Sequence, residues 1–173
     1  MSQMLKTYFL FSLIGLMALS EVYGQKGYDR IDPYKNGLAK VYKNNLVGYI
    51  DTKGNEVIAC KYDYISDFTN GAAKVIFNKK YGFINLIDEE LIPVKYDYIG
   101  PFKNGLAFVA IDGQFGIINN HGEEITPIIY DEIKNFNSKG LAKVRIKRLE
   151  GVINCQGVEV IPVYKPKGWD DEE

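Results

Sequence analysis

Histidine, tryptophan and cysteine are scarce in this chain, and their scarcity closes several routes to chemistry. The single histidine, His121, lies in the turn Asn120-His121-Gly122-Glu123, where sibling turns carry Lys53 and Ile87. No cysteine or serine pattern accompanies it as a nucleophile, and no other ligand stands at chelating spacing, so neither a catalytic nor a metal-binding residue is expected. Two cysteines, Cys60 and Cys155, permit a disulfide in an exported protein. They occupy different positions of the first and fourth copies of a repeat, and two buried free thiols are the expectation. Charge of one sign is also lacking. From Gln25 to Trp169 the chain holds 20 Lys and Arg against 17 Asp and Glu, too weak a bias for nucleic acid or an anionic membrane surface.

Long apolar runs are missing as well. The stretch Tyr8 to Leu19, preceded by Lys6, has 12 residues, against the roughly 20 that cross a bilayer. With Val22-Tyr23-Gly24 ahead of Gln25 it reads as a secretory signal peptide, residues 1–24, cut near Gly24. No cysteine follows on which a lipoprotein anchor could be built. The expectation is an extracytoplasmic protein, periplasmic, secreted or on the cell surface, with no membrane insertion after cleavage.

What is present is a period. Tyr28, Tyr62, Tyr96, Tyr130 and Tyr164 recur at intervals of 34 residues, and fixed periods of this length mark stacked or radial supersecondary units. The repeats run 28–61, 62–95, 96–129 and 130–163. Each reads Tyr-Asp-x-Ile-x-x-(Tyr/Phe)-x-Asn-Gly-(Leu/Ala)-Ala-x-Val with small departures, then a turn, a Gly-x-Ile strand, a second turn and a mostly aliphatic segment. The alternation Ala39/Val41, repeated as Ala73/Val75, Ala107/Val109 and Ala142/Val144, has the strand period with one buried face. Asn44-Asn45, Asn78-Lys79 and Asp112-Gly113 are hairpin turn formers. Pro93, Pro127 and Pro162 are expected to end a third strand. The fold class read from this pattern is all-β: four tandem units of three short antiparallel strands forming a curved superhelix or propeller-like array. Residues 165–173 form an acidic tail, expected to be disordered.

The run Lys80-Tyr81-Gly82-Phe83-Ile84-Asn85, with Asn-Gly-Leu-Ala-x-Val upstream and Glu-x-Ile-Pro downstream, resembles the bacterial WG (KWG) repeat family over residues 28 to 164. The Trp of the family's Trp-Gly pair is replaced by Val47, Tyr81, Phe115 and Glu150, and the one tryptophan, Trp169, lies outside the repeats. The resemblance implies an all-β interaction module, often secreted or envelope-associated, and brings no cofactor and no catalytic residues.

The recurrent polar residues are read structurally first. Asp29, Asp63, Asp97 and Asp131 are expected to accept backbone N–H groups at turns rather than bind Ca²⁺. Glu89-Glu90 and Glu123-Glu124 point opposite ways in an extended chain and make no acid–base pair alone. Lys143, Arg145, Lys147 and Arg148 form a basic strand, read as protection of a terminal edge. Ile31, Ile65, Ile99 and Ile133, with Phe68, Phe102 and Phe136, are expected to fill the seams between units. The candidate binding residues are Tyr28, Tyr62, Tyr96 and Tyr130, which would stack on sugars or a partner's side chains if their rings met solvent. The functional expectation is a non-enzymatic module that binds an envelope protein, with glycan or cell-wall binding through the tyrosine rows as the alternative.

Overall fold

A computed structural model describes residues 27–163; the expected signal peptide and acidic tail lie outside the described residues. All regular structure among them is β. The first sheet contains β1 (Arg30–Ile31), β2 (Leu38–Lys43), β3 (Leu46–Asp51) and β4 (Glu56–Tyr62). The second contains β5 (Tyr64–Ile65), β6 (Ala73–Phe77), β7 (Lys80–Ile84) and β8 (Glu90–Tyr96). In the third are β9 (Tyr98–Ile99), β10 (Leu106–Ile111), β11 (Gln114–Asn119) and β12 (Glu124–Tyr130), and in the fourth β13 (Glu132–Ile133), β14 (Leu141–Ile146), β15 (Leu149–Asn154) and β16 (Glu159–Ile161). Strand order follows chain order in every sheet.

Each unit therefore has four strands, not three. The extra strand is the two-residue segment inside the Tyr-Asp-x-Ile link, which pairs antiparallel with the next strand, Arg30 facing Tyr42 and Ile31 facing Val41. Two residues are too short for an alternation to be visible in sequence.

Hairpin chemistry sets the register. Asn44 and Asn45 take φ of 52° and 64°, and Asn78 and Lys79 take 50° and 64°, the left-handed pair of a type I′ turn whose twist matches its strands. Asn36-Gly37 does the same at 51° and 82°, closing a tight loop in which Lys35 and Leu38 exchange backbone bonds of 2.8 and 3.1 Å. A second lock recurs after the third strand. Asp51, Asn85, Asn119 and Asn154 each accept two backbone N–H bonds, from residues two and four further on, at 2.8–3.0 Å. These caps satisfy turn donors that no ladder reaches.

Bulges shape the outer strand. Between Phe115↔Tyr130 and Ile117↔Thr126 two residues of β11 oppose four of β12, so Pro127 sits inside the strand instead of ending it. Pro93 likewise lies within β8, while Pro162 follows β16. A bulge on an outer strand leaves a position that needs no donor, which is why Pro is tolerated there. The motif glycines lie opposite. A Cβ at Gly48 would press on the backbone of Ile58, Ala59 and Cys60, and one at Gly82 would come 2.7 Å from Ile92 O.

The described residues divide into two compact units, 27–78 with Ile84–Glu89, and Lys79–Phe83 with 90–163. In the first, β3 and β4 adjoin β5 and β6, and Tyr28, Ala39, Val41 and Ile50 form a buried cluster. In the second, β11 and β12 adjoin β13 and β14. One cluster there gathers Ile92, Tyr96, Ile99 and Val109, another Ile117, Tyr130, Val144 and Ile153. Full burial of each such aliphatic side chain contributes about 1.5–3 kcal/mol.

Two further expectations change. The basic strand β14 is not an edge, since β13 pairs with it through Glu132↔Arg145 and Ile133↔Val144. Lys147 and Arg148 fall beyond its end, Lys147 in a turn at φ 56°. The cysteines are free, but Cys60 is half-buried and Cys155 exposed, because Cys155 occupies the turn that Asn154 caps and not a strand.

Candidate functional site: the seams between sheets

The four candidate tyrosines turn inward. Tyr28, Tyr62, Tyr96 and Tyr130 retain 5, 3, 0 and 2% of their surface, so none presents a ring face for stacking. Strand alternation fixes which face a ring takes but not whether another sheet covers that face. The Tyr62 hydroxyl finds its partner in the next sheet, 26 residues on in sequence, and that of Tyr28 in the last strand of its own sheet, 28 residues on. Tyr62 donates to Asp88 Oδ1 at 2.7 Å, and Tyr28 to Glu56 Oε2 at 3.0 Å. Burial first, then the Glu56 carboxylate, pushes the Tyr28 phenol well above its ordinary value. The Tyr96 hydroxyl is buried with no hydrogen-bond partner.

The preceding lysines clamp the same seams. Lys61 meets Asp88 at 2.6 Å and Lys95 meets Glu124 at 3.0 Å, each cation also lying about 5 Å from the centre of the adjacent tyrosine ring (5.0 and 5.2 Å). Three of the four recurrent aspartates are structural as well. Asp29 accepts the Asn44 N–H at 2.7 Å, Asp97 the Asp112 N–H at 2.8 Å, and Asp131 the Lys147 N–H. Lys80, 2.5 Å from Asp97, is the main cause holding that carboxyl below its usual range. Among the described residues no group of three or more His, Cys, Asp or Glu is placed to hold a metal ion, and no helix is long and apolar enough to cross a membrane. The Glu pairs are engaged: Glu123 accepts from Asn119 Nδ2 at 2.6 Å and Glu90 from the Val94 N–H at 3.2 Å. His121 stands in its exposed turn, its backbone N–H donated to Asn119.

Seam aromatics behave as the sequence predicts. Phe68 packs edge-on against Tyr49 at 5.3 Å, and Phe102 against Phe83 at 5.9 Å. The last seam departs from this. Ile117 stands where Tyr49 and Phe83 stand, and Phe136 instead stacks on Phe108 at 6.3 Å and 12°, Phe108 occupying the position of Lys40.

Two grooves result, two periods apart. The first, about 450 Å³, is lined by Lys35, Lys40, Tyr49, Asp67, Phe68 and Leu86 among others. It is charged but closed on itself: Asp67 takes Lys35 and Lys40, each at 3.3 Å, and Lys40 also donates to Ile65 O at 2.9 Å. These two ammonium groups hold the Asp67 carboxyl below its usual range. The second, about 660 Å³, has Lys103, Leu106, Phe108, Ile117 and Phe136 in its lining, with Cys155 at the place of Leu86. Asp67 is matched there by Asn135. Sequence reading missed both grooves because the departure lies in three substitutions at repeat-equivalent positions, Lys40 to Phe108, Tyr49 to Ile117 and Asp67 to Asn135. Laying the copies one under another exposes them.

Comparison with known proteins fits this architecture. Four tandem segments, residues 25–46, 48–81, 81–114 and 115–148, match the family described as WG containing repeat. The chain belongs to that family. In this WG-repeat protein the last three matched segments start at or next to a motif glycine, a different phase from units opened at the tyrosine. The sheet-forming residues continue past the last match to Ile161. At the tryptophan position of the repeat, Val47 is buried, Tyr81 and Phe115 are half-buried, and Glu150 is exposed. No curated protein matches the sequence. Similar solved structures include Hsv2 from Kluyveromyces lactis with a loop replaced by a Gly-Ser linker, at 14% identity, TM-score 0.40, and 76% of this chain against 50% of that one. Another is the extracellular domain of a hybrid two-component system from B. thetaiotaomicron, at 9% identity, TM-score 0.33, and 77% of this chain against 22% of that one. The chain thus spans half or less of the length of these structures.

Proposed function

We propose that this WG-repeat chain is a non-enzymatic interaction module that works outside the cytoplasm and holds a partner protein in its seam grooves. One observation carries the reading. The residues that recur are spent on the fold: Tyr28 and its equivalents are buried, and Asp29, Asp97 and Asp131, like Asn85, Asn119 and Asn154, accept backbone N–H bonds, whereas the grooves differ between copies. Recurrence serves the fold, and variation at equivalent positions is where a specific partner would be chosen.

Glycan binding loses the four tyrosines as stacking platforms. It keeps the smaller pair Tyr64 and Tyr98, each 48% exposed and one period apart, and these become the residues to replace if a glycan is found. The extracytoplasmic location rests on residues 1–24 and predicts a mature N-terminus near Gln25, read directly by N-terminal sequencing of the chain isolated from its host.

The function is tested by cross-linked capture from an envelope fraction, with Lys103→Glu and Tyr64→Ala/Tyr98→Ala variants beside the native chain. A protein captured by the native chain and by the tyrosine variant, and lost with Lys103→Glu, supports groove binding. Loss confined to the tyrosine variant, or recovery of carbohydrate alone, overturns it.

A further inference from the structure

Resting on that reading, we infer that the groove beside Phe108 and Phe136 takes an acidic segment of the partner, one that presents an aromatic or branched aliphatic side chain next to a carboxylate. Two repeat-equivalent grooves differ in their charge balance. In the first, every cation on the rim has its anion: Asp67 pairs with Lys35 and Lys40. In the second, Asn135 replaces the aspartate, and Lys103, the counterpart of Lys35, is exposed and has no ion pair among the described residues. The second cation is gone too, because Phe108 stands at the position of Lys40.

These exchanges give the groove two chemically distinct parts. Its floor is apolar, with Ile117 fully buried (1%), Leu106 half-buried, and the stacked pair Phe108 and Phe136. The rim carries one unneutralised ammonium among neutral amides, Asn104 and Asn137. A purely apolar occupant would leave Lys103 unanswered, and a purely anionic one would leave the floor wet. A side chain that fills about 660 Å³ of groove only in part, with a carboxylate one residue away, answers both. The apolar part supplies affinity by area and the rim charge supplies selection and approach rate.

The Asn137 lock helps to hold the groove open. Its side-chain oxygen accepts the Lys139 N–H at 2.9 Å and the Leu141 N–H at 3.1 Å, which fixes the longer loop that replaces the tight Asn-Gly hairpin of the other copies. Cys155, exposed on the same rim, offers a reporter, since a bound segment would shield it.

The test uses the purified chain and two fluorescent pentapeptides, Ser-Glu-Phe-Glu-Ser and its neutral twin Ser-Gln-Phe-Gln-Ser, read by anisotropy and by the rate of Cys155 alkylation. The expected result is saturable binding of the acidic peptide with slower alkylation. Affinity falls about fivefold or more for the neutral twin and for Lys103→Glu, as one lost charge pair of about 1 kcal/mol implies. Lys103→Glu should in turn favour Ser-Lys-Phe-Lys-Ser. Phe108→Ala, which removes one ring of the stacked pair on the floor, should abolish saturable binding; a thermal melt checks that this variant stays folded. Equal affinity for both peptides, no binding of the acidic one, or no change with Lys103→Glu overturns the inference. If the native chain still captures a partner protein under any of those results, the interaction reading stands and only this groove assignment falls.

Discussion

The Tyr62 hydroxyl donates to Asp88 at 2.7 Å across 26 residues of chain, tying the last residue of one sheet to the turn before the last strand of the next. Tyr96, one period on, is fully buried with its hydroxyl unpartnered. The same residue at the same repeat position therefore carries opposite energetics. Tyr62→Phe should lower the free energy of unfolding by about 1–2 kcal/mol, because it strips a hydrogen bond from a carboxylate. Tyr96→Phe should change it by less than about 0.5 kcal/mol or raise it, because it removes a buried donor with nothing to bond. Urea denaturation of both variants checks the pair, and equal losses would contradict it.

Gly48→Ala should be among the most damaging small substitutions in the chain. Its Cβ would meet Ala59 C and Cys60 N, both at 2.8 Å, and Ile58 O closer still. All three are backbone atoms in the paired bulge, so relief requires the strands to part. A cost of about 2–3 kcal/mol is expected from overpacking without rotamer escape, measured by the shift in denaturation midpoint at unchanged slope.

Acid should loosen the fold through four carboxylates. Asp51, Asp67, Asp97 and Glu132 all sit below their ordinary values of 3.8 or 4.5, Asp51 chiefly through Asn55 and the others chiefly through lysine partners. A depressed carboxyl contributes stability above its unfolded value and loses it as pH falls through the folded one. Stability should therefore be level from neutrality to about pH 5 and decline below pH 4. Asp51→Asn should flatten part of the decline without cost at pH 7, since Asn85, Asn119 and Asn154 serve as the same lock in the other copies. Added salt should weaken the lysine-paired contributions and spare that of Asp51.

Alkali should act through the seam phenols. Burial first, with Asp67 next among the charges, pushes the Tyr49 phenol up to about 12 from 10.0. A raised value means that the protonated form is favoured by folding, so this stability is complete below pH 10 and lost as pH rises toward 12. Absorbance titration should show the buried tyrosines Tyr28, Tyr49, Tyr96 and Tyr130 ionising only as the fold opens. A single transition near pH 10 would contradict the burial described above.

Much of this was legible in the chain. The period, the Ala/Val alternation and the Asn-Gly turns follow from local sterics, and they alone point to the all-β class and the WG resemblance. What stayed hidden depended on partners far along the chain. The strand Arg30–Ile31 exists only through its pairing with Tyr42 and Val41. The tyrosine rows looked available because a phenol suits a surface as well as an interior, and Glu56 or Asp88 decides between them. Pro127 read as a strand end because the bulge that tolerates it belongs to the pairing with β11. The grooves were hidden for a different reason: their floors are made by exceptions to the repeat, and a search for what recurs passes over them.

If the repeated residues hold the fold while a partner sits at the seams, lysine footprinting of the partner complex should reveal it. Acetylation of the chain alone and in complex, read by mass spectrometry, should show Lys103 protected, with Lys143 and Lys147 on the last sheet unchanged. Protection of Lys143 and Lys147 with Lys103 still reactive would place the partner on the basic strand and contradict the account.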